Sequence, residues 1–287
     1  MASAEQLVPI GFSLAAVLCW GTSDFTGGYA SKRSDAFVVT LLSHAGGFVL
    51  MLSLALLTHA PYPSGSSRYW ALLGGALGGT GLAIFYRALA TGNMGMTAPV
   101  SAVLGAAIPA AFAMITQGFP SMTSIAGFLL AGVGIWLISR PEGPARSYAG
   151  ISMAALAGVG FAGFFICINR AGDSSALWST VHSRLASLVI VAAIVLFRWG
   201  WFRQPPTRLR PTGAALALFA GCLDATGTAV FIRAEQTGRL DTAVVLSSLY
   251  PVITVLLARA VLHEHFTRWK TIGIFAALLA VPLIALQ

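Results

Sequence analysis

Apolar residues follow one another along this chain in stretches of about twenty, broken by short polar segments. A helix needs about 20 such residues to cross the hydrocarbon of a bilayer. Marking the runs against glycine, proline and charged breaks predicts ten spans, near 9–30, 36–58, 69–91, 95–117, 121–139, 148–169, 176–199, 212–236, 241–262 and 266–286. The longest connection, Arg198 to Arg210, leaves no room for a soluble domain. Tyr69, Trp70, Trp178, Trp199, Trp201 and Trp269 fall at predicted span ends, where amphipathic rings favour the membrane interface. Trp20 instead falls well inside the first span.

The pattern also repeats. Residues 70–139 lie over 216–285 at an offset of 146 without a gap, so that "FYRALATG" matches "FIRAEQTG" and Gly75, Thr80, Phe85 and Arg87 coincide with Gly221, Thr226, Phe231 and Arg233. A weaker match upstream sets Gly11, Ser13, Gly21 and Phe25 against Gly150, Ser152, Gly160 and Phe164. The chain therefore divides into two five-helix repeats, 1–143 and 144–287. An odd number of crossings sends the second repeat into the membrane from the opposite side. The expected fold class is an all-α polytopic membrane protein with ten transmembrane helices in two inverted five-helix repeats, an architecture of many secondary transporters.

Gly74/Gly78 and Gly75/Gly79 form overlapping GxxxG pairs that allow close helix approach. Pro99, Pro109 and Pro251 lie within the fourth and ninth spans, as static kinks or hinges.

Composition agrees with the pattern. Only 9% of residues are charged and 57% are apolar, too few charges to solvate a globular surface. The net charge of +8 is scattered singly through short loops, with no basic stripe, and predicts no nucleic-acid partner. Twelve Lys and Arg residues, Lys32, Arg140, Arg198 and Arg268 among them, lie in or near connections after odd-numbered spans, against four on the other side. The positive-inside rule then puts both termini outside. Cys19, Cys167 and Cys222 are isolated in apolar runs and imply neither a disulfide framework nor a metal site. The N-terminus lacks a basic n-region, so the first apolar run is expected to be a retained span.

Ionisable groups within spans are costly and mark candidate sites. Asp224 stands at the midpoint of the eighth span and shares a face with Ala220, Gly221, Gly227, Thr228 and Phe231, a small and polar stripe suited to a cavity wall or a helix contact. Asp24 lies about five residues from its span end, either an interfacial acid paired with Lys32 or Arg33, or a gate beside Trp20. Arg184 and His182 are two residues apart and cannot both face a cavity; Arg184, aligned with Thr180 and Ser187, is the candidate, with pairing to Asp224 as its structural alternative. His44 shares a face with Thr40 and Gly47. Ser247, Tyr250, Pro251 and Thr254 form one polar face on the ninth span, and Ser101 matches Ser247 in the first half. Glu235 is placed to pair with Arg239, while Asp241 is assigned to an edge. A cavity carboxylate, Asp224 first and Asp24 second, is expected to bind a proton or a cationic group of the substrate.

These residues resemble the EamA-type members of the drug/metabolite transporter superfamily. "CWG" at Cys19–Gly21 is similar to that family's mid-helix Trp-Gly, and "SSLYPVITVLLARAVLHEHFT" at Ser247–Thr267 to its ninth-span signature. The following turn reads His263-Glu264-His265, with Gly and Arg of the family pattern replaced; "QGFPS" at Gln117–Ser121 keeps Gly118 but lacks the Glu. Arg184 fits the Arg that the family carries early in the second span of each half, and His44 stands at that place in the first half. The resemblance implies transport of amino acids, related metabolites or drugs through a central cavity, with both termini inside, opposite to the charge count.

The expectation is a secondary transporter of the plasma (inner) membrane that exports a small-molecule substrate, with substrate-binding residues Asp224, Trp20, Tyr250, Arg184, Asp24, His44, Ser247 and Thr228. No cofactor is expected, and the oligomeric state is monomer or homodimer. A channel or structural component is the alternative. An enzyme is disfavoured, because "LHEHF" spaces its histidines two apart, unlike HExxH, and no GxSxG occurs.

Overall fold

The computed structural model describes residues 4–32, 34–63, 65–91, 94–138, 140, 149–172, 175–202, 210–262 and 267–285. Helix is the only regular structure among them: α1 (Ala4–Ser31), α2 (Ala36–Leu57), α3 (Ser66–Thr91), α4 (Met94–Gln117), α5 (Met122–Ile138), α6 (Ala149–Ala171), α7 (Ala176–Phe202), α8 (Pro211–Thr237), α9 (Leu240–Ser247), α10 (Tyr250–Leu262) and α11 (Arg268–Ala285). Hydrocarbon offers no partner for a free backbone amide, so every crossing closes its hydrogen bonds internally. Among the described residues nine stretches are long and apolar enough to cross a membrane; the fifth predicted span is a shorter apolar helix of 17 residues.

Local chemistry sets several helix ends. Asp35 caps α2, its carboxylate accepting from the amides of Phe37 and Val38, and it holds Arg198 at 3.3 Å. Pro211 opens α8, where a missing amide costs nothing. Gly118 and Gly172 follow α4 and α6 with φ of 82° and 70°, the left-handed conformation that ends a helix and that glycine adopts without strain.

The ninth span departs from the expected single kinked helix. It stops at Ser247 and restarts at Tyr250, with Pro251 in the first turn of α10. Proline cannot donate to the preceding turn. Of the expected common face of Ser247, Tyr250, Pro251 and Thr254, only Tyr250 reaches the central cavity.

Helix pairing is exchanged between the halves. α3 packs on α6 as α1 packs on α8; α3 meets α7 as α2 meets α8; α4 meets α6 as α1 meets α9 and α10; α5 pairs with α11 and α2 with α7. Glycines make the closest approaches. A side chain at Gly75 would strike the backbone of Ser183, and one at the matching Gly221 would strike the backbone of Ser43. The overlapping GxxxG pairs of α3 serve two partners, Gly74 and Gly78 facing α6 at Cys167 and Phe164, Gly75 and Gly79 facing α7 at Ser183 and Ser187.

Large apolar side chains such as Ile115, Leu129 and Phe275 stand on the outside, where lipid would meet them. Contacts between connections respect the alternation of crossings. Arg198 meets Asp35, and Arg140 lies over Trp269, at one end. Arg239 reaches Gln117 and Gly118, and Trp178 donates to the Ala60 carbonyl, at the other. Tyr69, Trp70, Trp199 and Trp269 are exposed at helix ends, whereas Trp20 is buried.

Candidate functional site

A cavity with an open volume of about 710 Å³, its mouth included, lies among α1, α2, α3, α4, α6, α7, α8 and the α9–α10 break. That is a size suited to a small organic molecule. α5 and α11 contribute nothing to its wall. Of the eight residues expected from the sequence, Trp20, Asp24, His44, Arg184, Asp224, Thr228 and Tyr250 line it. Ser247 does not. It is fully buried behind the wall, and the helix break presents Ser248 instead.

Arg184 organises the polar wall. From α7 its Nη1 donates to Asp224 Oδ2 at 2.5 Å and lies 3.3 Å from His44 Nδ1, while Nη2 donates to Thr228 Oγ1 at 2.5 Å. The Thr228 hydroxyl in turn donates a hydrogen bond to the Asp224 carbonyl at 3.0 Å. The side chains of the ion pair are 8% and 18% exposed, so the charges neutralise each other where water is scarce. Both sequence readings of Arg184 hold at once: it lines the cavity and it is the partner of Asp224. His182 points elsewhere, its Nε2 lying 3.3 Å from the Tyr62 hydroxyl at the edge of the bundle.

Trp20 forms the aromatic wall. Its ring lies over Gly227, where any side chain would displace it, and its Nε1 donates to the Asp224 carbonyl at 3.2 Å. Phe165, Phe231 and Tyr250 surround it with ring centroids 5.9, 5.5 and 6.5 Å away. Ser23 and Ser43 tie α1 and α2 to α8 through the carbonyls of Ala220 and Ala217 at 2.8 and 2.9 Å, so that three helices hold the site in one register.

Of the two readings of Asp24, the geometry matches the one that sets it beside Trp20. α1 continues to Ser31, and Asp24 lies one turn beyond Trp20 on the cavity wall. Among the described residues it has no ion pair; Arg33 lies outside them. One expectation is corrected. Arg239 grips Asp241, Nε to Oδ1 at 3.1 Å and Nη2 to Oδ2 at 2.8 Å, rather than Glu235, which is buried against Asn169. Asp241 stands at the edge of its span, in the first turn of α9, and is fully buried there. His263, Glu264 and His265, the altered turn of the ninth-span signature, lie outside the described residues.

Sequence reasoning missed Phe161, Phe164 and Phe165 on α6, Gly78, Gly79 and Leu82 on α3, and Ser183 beside Arg184. The one available signal was the glycine pairs of α3, read only as packing. The phenylalanines look like any other apolar residues of a span.

Comparison with known proteins bears on this arrangement. Residues 148–286 match the model of the EamA-like transporter family. Members of that family are transporters. The long apolar helices among the described residues make this chain a multi-pass membrane protein. A solved crystal structure superposes on this EamA-like protein with a TM-score of 0.75, covering 99% of this chain and 96% of the other at 16% identity, a likeness of fold alone. No curated protein matches significantly.

Proposed function

We propose that this EamA-like protein is a secondary transporter that exports small metabolites, such as amino acids or their relatives or drugs, by alternating access. One observation carries the reading: a single cavity takes its wall from four helices of the first half and from the equivalent helices of the second, in a bundle whose packing partners are exchanged between halves. Two matched halves can trade places about a central site, opening it to either side in turn. The repeats divide near residue 143, and Asp224, Arg184, Trp20, Tyr250, Thr228, His44 and Asp24 contact the substrate. A proton, carried on a cavity carboxylate, is the coupling ion.

Reconstituted liposomes test this. Saturable uptake of metabolites, accelerated by unlabelled substrate on the far side and by an imposed pH gradient, is expected. Stepwise single-channel currents without saturation would sink it in favour of a channel. The plasma membrane is the proposed site, with both termini outside. A C-terminal reporter active only in the external compartment is expected; cytoplasmic activity reverses the orientation.

A further inference from the structure

The cavity wall carries four charged or readily ionised side chains: Asp24, His44, Arg184 and Asp224. Arg184 is engaged within the wall at both Nη groups, by Asp224, His44 and Thr228, and only its buried Nε is left without a partner. A guanidinium so occupied is poorly placed to receive a substrate carboxylate. His44 accepts from Arg184 at Nδ1 and is therefore neutral, since guanidinium can only donate. The remaining group is Asp24, whose carboxylate faces the same space with no cation beside it among the described residues. The nearest other acid is Asp224, and the hydroxyl-bearing rings of Tyr86 and Tyr250 lie within its electrostatic reach. Residues 89–99, which adjoin the cavity-lining part of α4, contain no charged side chain in the sequence.

A carboxylate left unpaired in a water-poor interior is strongly unfavourable, and a cation relieves it. The wall around it also holds polar atoms awaiting a partner. Ser101 is fully buried, yet its Oγ, which can accept from an ammonium, is unpartnered; the donors His44 Nε2 and Arg184 Nε are unpartnered too and suit a neutral acceptor on the same ligand. Trp20, Phe161, Phe165 and Tyr250 supply aromatic faces, which attract cations and apolar bodies alike.

We propose that Asp24 is the charge-recognition residue of this cavity and that the substrate class is a monovalent organic amine, its ammonium on Asp24 and its apolar body among Trp20, Phe161, Phe165 and Tyr250. The proposal rests on the transport reading above and deepens it. It also reverses the sequence-based order of the two acids: Asp224 belongs to the wall, Asp24 to the ligand.

Equilibrium binding to the full chain in lipid nanodiscs tests it with three probes of one shape: phenethylammonium, phenylacetate and 2-phenylethanol. The intact protein is expected to prefer the amine by about tenfold or more over both others, the worth of one charge-assisted hydrogen bond. Asp24→Asn is expected to abolish that preference and Asp24→Glu to keep most of it. Thermal unfolding of each variant shows whether it is folded, and the selectivity of the unsubstituted protein is informative by itself. Equal binding of the anionic or neutral probe, absence of amine binding, or a preference that survives Asp24→Asn overturns the proposal. Flux of neutral or anionic solutes that ignores Asp24 does the same while leaving the transport reading intact.

Discussion

His44 and Arg184 hold matching places in the two halves of the chain and meet at its centre, His44 Nδ1 lying 3.3 Å from Arg184 Nη1. The guanidinium donates, so the imidazole accepts and carries its proton on Nε2. His44→Ala leaves a buried donor unsatisfied and is expected to destabilise the protein by about 1–3 kcal/mol. His44→Asn, whose carbonyl oxygen replaces Nδ1, is expected to lose less. Thermal unfolding in detergent compares the two; equal losses would show that the acceptor does not matter.

The pair of Arg184 with Asp224 is a wall element whose two charges depend on each other. Removing one partner strands the other, so Asp224→Leu or Arg184→Leu alone is expected to cost about 3–5 kcal/mol. Removing both together is expected to recover most of that stability and none of the transport. A double-mutant cycle followed by unfolding and by flux checks this. Additive losses would mean the two residues act separately.

Glycine substitutions separate close packing from open helix. A methyl group at Gly221 meets the Ser43 backbone, which cannot yield, so Gly221→Ala is expected to abolish or severely reduce folded protein. Gly11 lies in α1 with nothing within 4 Å of the added carbon, and Gly11→Ala is expected to be neutral or to stabilise by up to about 1 kcal/mol. Yields of monodisperse protein and unfolding temperatures distinguish them.

Arg239 joins the end of α4 to the start of α9, donating to the Gly118 carbonyl at 2.6 Å as well as to Asp241. Hydrogen bonding to Asp241 lifts the guanidinium above its ordinary range. A raised pKa means that the stabilisation is complete below the unfolded value and is lost only as pH climbs past the folded one. Arg239 therefore contributes no pH dependence between pH 5 and pH 9, on the order of three units or more below the range where it titrates. Arg239→Gln is expected to destabilise by about 1–3 kcal/mol, since the arginine is partly exposed. Unfolding temperatures of the variant and its parent, compared across that interval, should differ by a constant amount from this source.

Trp20 combines ring packing with one hydrogen bond to Asp224. Trp20→Phe keeps the packing and is expected to cost about 0.5–1.5 kcal/mol; Trp20→Ala leaves a cavity and is expected to cost about 3–5 kcal/mol. If Trp20 touches substrate, flux should fall in Trp20→Phe even where the protein remains fully folded.

Much of the site was legible because polar atoms are scarce in a span. Asp224, Arg184 and His44 stood out against apolar neighbours, and helical spacing correctly separated Arg184 from His182. Depth was less legible. The sequence left Asp24 between an interfacial acid near Lys32 and Arg33 and a cavity acid beside Trp20, and only the packing of α1 on the other helices places it on the cavity wall. Ser247 looked accessible because periodicity assumes an unbroken helix, and this span breaks before Tyr250. Arg239 chose Asp241 over Glu235 because it extends away from α8 as that helix ends, so the i+4 relation never forms.

The sequence by itself determined the helical elements and their order, because hydrocarbon forces each apolar run into a self-satisfied helix of limited length. Only the tertiary structure decided which charges neutralise each other. Asp24 and Asp224 are both single acids in apolar runs, and the difference between them is one guanidinium from a helix 40 residues away from Asp224 and 160 from Asp24. That choice depends on the rotation and spacing of helices distant in the chain, set by the glycine contacts of Gly75 and Gly221, and no local pattern encodes it.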